Sequence, residues 1–264
     1  MRTSGFKMKN ILLTNDDGFE AKGLLELAKK LGKIANVVIA APSTEKSGSS
    51  QSLTLTRPLR FIKIDENFYK LDDATPADCV YLGLHALFKT KPDLIVSGIN
   101  HGANIAEDIT CSGTCGAAMQ GALQGIPSLA VSQFFTGKSL KNSGFDLACD
   151  IAYKVVCKIF ENGFPLLNKQ FLNLNIPSVC KKDFKGLKIA PAGRKFYDTN
   201  AQNGINPRGK KYYWLGKMDI KFDISENQNT DIGLLSEGFA TLTPIKPDMT
   251  AYEQINGLEK WLKI

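Results

Sequence analysis

No run of about 18 or more apolar residues occurs in the chain, which excludes a helix of bilayer-spanning length. The first seven residues, Met1 to Lys7, also lack the apolar stretch of a signal peptide, so the expectation is a soluble, cytoplasmic protein with no membrane partner. Histidine is scarce, with two in the chain, and the six cysteines contain no C-x-x-C. A structural zinc site around Cys111 and Cys115 therefore lacks partners at the usual spacing, and disulfides are not expected in a reducing compartment. The G-x-S-x-G elbow of a Ser-His-Asp hydrolase is missing. Gly137-Lys138-Ser139 resembles the end of a phosphate-binding loop, but the position that should carry its first glycine is Ser132, which argues against a nucleotide-triphosphate motor. Internal repeats and low-complexity tracts are absent.

What remains is a 264-residue chain, 43% hydrophobic, long enough for one large α/β domain or a domain plus an extension. Its formal charge of +7 suits an anionic partner and equally serves solubility, so charge alone selects no partner. Residues 1–7 match no element and stay outside the fold argument.

Lys9 to Asn15 is a short apolar run that ends abruptly in Asp16-Asp17-Gly18, the pattern of a buried parallel strand entering a turn. Leu24, Leu25, Leu27, Ala28 and Leu31 give the next segment a helical apolar face, with Gly32 near its end. Val37 to Ala40 follows as a strand stopped by Pro42. This order implies a right-handed crossover and a parallel sheet. Beyond the polar stretch from Ser43 to Ser52, β-like pieces are expected at Leu53–Leu55, Arg60–Ile64 and Phe68–Leu71. A helix should start at Thr75-Pro76-Ala77-Asp78 and run to about Phe88, with His85 packed on it. Pro92 to Gly98 reads as a buried strand, Gly113 to Leu123 as a helix, Ser128 to Ser132 as a strand and Phe145 to Phe160 as a helix. The expected fold class is α/β, a Rossmann-like, doubly wound, mainly parallel sheet. Its core should span residues 8–190. Residues 191–264 should form an extension: an extended hairpin or arm from Arg194 to Phe222, then a helical segment from Tyr252 to Ile264.

Ligands of open α/β sheets bind beyond the carboxyl ends of the strands. Three such ends carry Asn15-Asp16-Asp17-Gly18, Ser47-Gly48-Ser49-Ser50 and Gly98-Ile99-Asn100-His101-Gly102-Ala103-Asn104. Adjacent carboxylates repel unless a cation lies between them, and oxygen ligands of this kind suit Mg²⁺, Mn²⁺ or Ca²⁺. Ser47 and Asn100 offer neutral oxygens to complete a cage, although Asp-Asp-Gly is also an ordinary turn. Ser112-Gly113-Thr114 precedes a helix whose N-terminus can receive a phosphate or simply carry a cap. His101, directly after Asn100, is the better histidine for proton transfer, while a loop histidine is also a common structural residue.

These blocks, with Ser52-Leu53-Thr54-Leu55 and Thr75-Pro76-Ala77-Asp78-Cys79-Val80, resemble the SurE family of metal-dependent nucleotidases, and the resemblance covers nearly all of the chain from Met8 onward. It implies a Rossmann-like core, a protruding C-terminal part used for dimerisation, and phosphatase activity on nucleoside 5′- and 3′-monophosphates. It also implies one divalent cation per subunit, Mg²⁺ or Mn²⁺ with Ca²⁺ able to stand in, held by Asp16, Asp17, Ser47 and Asn100. Phosphate-side positions fall on Asn15, Gly48, Asn104, Ser112, Gly113 and Thr114, with Asp16, Asp17 and Asn104 as the catalytic set. The implied assembly is a homodimer or a tetramer. Glu20, His101 and Ala103 depart from the pattern within matching blocks. The expected chemistry is in-line attack on phosphorus by a water that Asp16 or Asp17 orients or deprotonates, with a covalent aspartyl-phosphate as its alternative. The other class of function is a non-catalytic nucleotide or RNA sensor. Its basic surface would be Arg194, Arg208, Lys210 and Lys211 beside the stacking rings of Tyr212, Tyr213 and Trp214, although a subunit contact is the preferred reading of that cluster.

Overall fold

The computed structural model describes residues 8–135, 144–197, 201–215, 220–221 and 228–262. Gly137-Lys138-Ser139, Phe222 and Ile264 lie outside these residues. The chain opens with β1 (Lys9–Thr14), α1 (Lys22–Leu31) and β2 (Ala35–Pro42), followed by β3 (Phe61–Asp65), β4 (Phe68–Leu71) and α2 (Pro76–Ala86). Next come β5 (Leu94–His101), α3 (Asp108–Cys111), α4 (Gly113–Leu123), β6 (Ser128–Phe134), α5 (Asp146–Asn162) and β7 (Phe171–Pro177). The last part holds β8 (Leu187–Ile189), β9 (Phe196–Tyr197), β10 (Ala201–Ile205), β11 (Lys211–Leu215), β12 (Ile220–Lys221), α6 (Asp231–Ser236), β13 (Ala240–Ile245) and α7 (Ile255–Trp261).

The central sheet has the order β3-β4-β2-β1-β5-β6-β7-β13-β8. Its middle is parallel, with β1 pairing β2 on one side and β5 on the other, as in Ile11 with Val37 and Leu13 with Val96. Alternation along the strands sends side chains to two separate cores. Ile11 and Leu13 join Leu24 and Leu27 of α1 and Ala148 and Ala152 of α5. Leu12 and Ile95 face Val80 of α2 and Ala117 of α4. The sheet is thus covered on both faces, as the doubly wound expectation requires.

The start of α2 follows its sequence. Thr75 caps the helix by accepting from the Asp78 N–H, and Asp78 reaches back to the Thr75 N–H. Asp78 also accepts from the Thr54 N–H at 2.8 Å and the Thr54 hydroxyl at 2.6 Å. That contact explains why Leu53–Leu55 is not a strand: its chain is held by one carboxylate instead of a ladder, and Leu55 is largely exposed. His85 is not packed as expected. With Val80 and Gly83 turned inward, it lies on the exposed side of α2 beside the Tyr81 ring, 5.0 Å between centroids.

The C-terminal segment divides in two. Within the stretch from Arg194 to Phe222 expected as an extended hairpin or arm, residues 201–215 form a hairpin, β10 antiparallel to β11 with Asn203 opposite Tyr213, and β12 pairs with β9. Tyr213, Trp214 and Leu215 are all exposed. Further on, β13 enters the central sheet between β7 and β8, so the sheet runs across the boundary expected at residue 190. Alternating Thr241 and Thr243 hide this strand in the sequence, as Asn173 and Asn175 hide β7; all four are buried. Among the described residues no helix is long and apolar enough to cross a membrane.

Candidate functional site

Chain order reverses direction across the sheet between β1 and β5, and a crevice at such a point is where an open α/β sheet binds its ligand. Asn15, Asp16 and Asp17 leave the carboxyl end of β1, and Asn100 and His101 end β5 beside it. The pairing of β5 with β6 shifts register between Ser97 and Asn100. Gly98, at φ +141°, makes that shift possible, because a Cβ there would lie 2.2 Å from the Val131 carbonyl oxygen. Irregularities of this kind re-aim side chains at strand ends.

Asp16 is the best-fixed of these residues. One carboxylate oxygen accepts from the Thr114 hydroxyl at 2.5 Å and the other from the Thr114 N–H at 3.1 Å, which seats it on the positive end of α4. Ser112 caps the same helix by accepting from the Cys115 N–H. The Asp16 carbonyl accepts from the Lys46 N–H at 2.7 Å, fastening the loop that carries Ser47, Gly48 and Ser49. Asp17 accepts from the backbone N–H of His101 at 3.2 Å, joining β1 to β5. The Asn100 amide nitrogen donates to the Gly102 carbonyl at 2.8 Å, so the amide oxygen is the atom it could offer to a cation. Ser47 is exposed, and its hydroxyl donates to Glu45 at 2.9 Å. Gly48 adopts φ +73° with open space on its Cα. Asn15 donates to the Gly18 carbonyl, while its buried amide oxygen and the buried Ser49 hydroxyl have no hydrogen-bond partner among the described residues.

The two carboxyls are electrostatically uncomfortable. Burial raises the pKa of Asp16 above the usual carboxylate range against the opposing pull of Thr114. Burial, and then repulsion from Asp16, push Asp17 up to about 6. Two crowded carboxylates, with the Asn15 amide oxygen next to them in the chain and unpartnered among the described residues, fit a hard divalent cation, which would relieve both the desolvation and the repulsion. A stability consequence follows for the metal-free protein. The Asp17 carboxyl titrates near 3.9 when unfolded, so its contribution is fully present below about pH 4 and is lost as pH rises through about 6. In the presence of chelator, Asp17→Asn should therefore melt higher than wild type at pH 8, by about 1–2 kcal/mol of stability, with the gap closing at pH 4–5. A gap that widens on acidification, followed by circular dichroism melts, would contradict this assignment.

The profile of the family described as "Survival protein SurE" matches residues 11–199, a span that holds every one of these residues. The chain belongs to the SurE family. It is 60% identical to the 5′-nucleotidase SurE of Campylobacter curvus over 96% of this chain and 99% of that protein. It is 57% identical to the 5′-nucleotidase SurE of Campylobacter fetus over 97% and 100%. The crystal structure of the SurE protein from Aquifex aeolicus is similar with a TM-score of 0.80 at 37% identity, covering 96% of this chain and 99% of that one.

Two predicted positions of this SurE family chain are placed in ways their sequence blocks did not suggest. Asn104 is held from below by the sheet: its side-chain amide nitrogen donates to Ser132 at 2.8 Å, and its backbone carbonyl accepts from the side chains of Asn173 and Asn175. The imidazole of His101 stacks on Phe135, so that only the backbone of this residue hydrogen-bonds to Asp17. Other contributors escaped sequence reasoning. Glu45 lies near enough for its charge to raise both aspartates, and its place two residues before Ser47 was the available signal. Asp231, buried in the C-terminal segment, accepts from the N–H groups of Ala106 and Gly193. Lys195 pairs with Asp108 at the start of α3. Nothing in their local sequence marks these two, since their partners are 87 or more residues away for Lys195 and 125 for the Asp231 contact with Ala106.

Proposed function

We propose that this chain is a divalent-metal-dependent phosphomonoesterase that converts nucleoside monophosphates to nucleoside and phosphate. Its 53–60% identity to proteins named 5′-nucleotidase supports an enzyme of the 5′-nucleotidase type. The observation that carries the reading is the buried Asp16, fixed on the N-terminus of α4 with a second carboxylate beside it. Asp16, Asp17, Ser47 and Asn100 are the proposed ligands of one Mg²⁺ or Mn²⁺ ion, with the Ser47 hydroxyl turning from Glu45 to serve. When bound, such an ion neutralises phosphoryl charge and lowers the pKa of water. Asp17, less buried than Asp16 and held by one backbone donor, orients the attacking water. Ser112, Gly113 and Thr114 lie on the proposed phosphate side; with the Thr114 donors committed to Asp16 and the Cys115 N–H to Ser112, the Gly113 N–H is the backbone donor this turn offers an anion. Gly48 lets the facing loop approach without a side chain, and Asn104 braces the loop after β5. Exhaustive chelation is expected to stop phosphate release from a nucleoside monophosphate, and added Mn²⁺ or Mg²⁺ to restore it. Undiminished turnover in chelator would defeat the metal requirement, and no release from any nucleoside monophosphate would defeat the substrate class.

The β10–β11 hairpin is proposed as a subunit contact, in a homodimer or a tetramer built from dimers. Ile205, Tyr213, Trp214 and Leu215 are each at least 66% exposed, an apolar surface costly to leave in water. Replacing residues 201–215 by a short glycine-serine linker should yield a smaller species by light scattering. An unchanged oligomer mass would remove the hairpin from the interface and return its Arg208, Lys210 and Lys211 to the nucleic-acid reading.

A further inference from the structure

We propose that the His101 imidazole is the platform on which the substrate's base stacks, so that this residue sets the preference of the site for nucleotides over base-free phosphate esters. The inference rests on the phosphatase reading above and deepens it. His101 is the last residue of β5, directly after the proposed ligand Asn100, and its own N–H holds Asp17. The His101 backbone nitrogen lies 3.2 Å from an Asp17 carboxylate oxygen, so the residue stands at the edge of the proposed reacting centre. Yet the ring hydrogen-bonds to neither aspartate. It lies face to face on Phe135, with centroids 4.2 Å apart and planes 16° apart. Phe135 in turn meets Phe145 edge to face at 5.8 Å, and Phe145 is buried in the core.

This aromatic column fixes the plane of a residue that is itself exposed. A histidine so backed has one face covered and the other available, and its orientation entropy is spent before a ligand arrives. A flat heterocycle is the ligand that matches a flat, preorganised ring beside an anion site, and a nucleotide carries both parts on one sugar. Stacking of bases on aromatic side chains tolerates every base, because each has a π face. The site should therefore prefer nucleotides as a class and discriminate weakly among them.

The test compares a nucleoside 5′-monophosphate with ribose 5-phosphate, the same ester without its base, in wild type, His101→Ala and His101→Phe. The backbone N–H to Asp17 survives both substitutions, so the comparison isolates the ring. In His101→Ala the ratio of kcat/KM for nucleotide over ribose phosphate is expected to fall about 5- to 10-fold, carried by KM, as the exposed end of the stacking range implies. His101→Phe should keep the wild-type ratio. A ratio within twofold of wild type in His101→Ala would overturn the platform. A loss in His101→Phe equal to that in His101→Ala would also overturn it, in favour of imidazole proton chemistry. A wild-type enzyme inactive on every nucleoside monophosphate would sink the phosphatase reading and the inference together, whereas an active one with an unmoved ratio sinks only the inference.

Discussion

Asp16→Ala is expected to lower turnover of a nucleoside monophosphate by about 100-fold or more, with almost no recovery at high Mn²⁺ or Mg²⁺. The substitution removes negative charge from the proposed cation site, and it strips Thr114 of the acceptor for both its hydroxyl and its N–H. Asp16→Asn separates the two effects, because the amide keeps the shape while losing the charge. Asn100→Ala should fail differently. That side chain supplies a neutral oxygen, its nitrogen being committed to the Gly102 carbonyl, so its loss weakens the cation less and excess metal should restore part of the rate. Titrating each metal against initial rates measures the contrast. Wild-type rates and metal dependence in both alanine variants would show that the chemistry lies elsewhere and favour a sensor.

Gly113→Ala should also cost about 100-fold in kcat, while leaving the fold in place. A Cβ at this position would stand 2.7 Å from the Ser49 hydroxyl, 2.9 Å from the Asp16 Cβ and 3.0 Å from an Asp16 carboxylate oxygen. Asp16 cannot yield without breaking its bonds to Thr114, and small displacements at a reacting centre are expensive. Helix propensity favours alanine over glycine by up to about 1 kcal/mol, which offsets part of the crowding, so the melting temperature should move far less than the rate. Gly257→Ala, where a Cβ meets nothing within 4 Å, is the control, expected to leave rate and melting temperature near wild type. If Gly113→Ala kept its full rate, α4 and the aspartate would not be coupled as tightly as their contacts indicate.

Much of what is encoded by neighbours in the chain is legible in the sequence. The apolar run of β1 breaking at Asp16, the cap at Thr75 and the small-residue helix Gly113–Leu123 all depend on period, propensity or a cap formed within a few residues. The ordered blocks at three strand ends were enough to bring Asp16, Asp17, Ser47 and Asn100 into one hypothesis. Tertiary structure alone decided which polar residues are inside. Asn173, Asn175, Thr241 and Thr243 look like surface residues, but two of them hold Asn104 and all four line buried strands. The pairing of Asp16 with Thr114 spans 98 residues, and the seating of β13 beside β7 brings residue 241 opposite residue 175. Polar burial depends on whether a partner arrives from elsewhere in the chain, since an unpaired buried polar group costs a few kcal/mol and a paired one little. Sequence spacing specifies what a segment can be. Which distant segment satisfies it is settled only when the sheet is assembled.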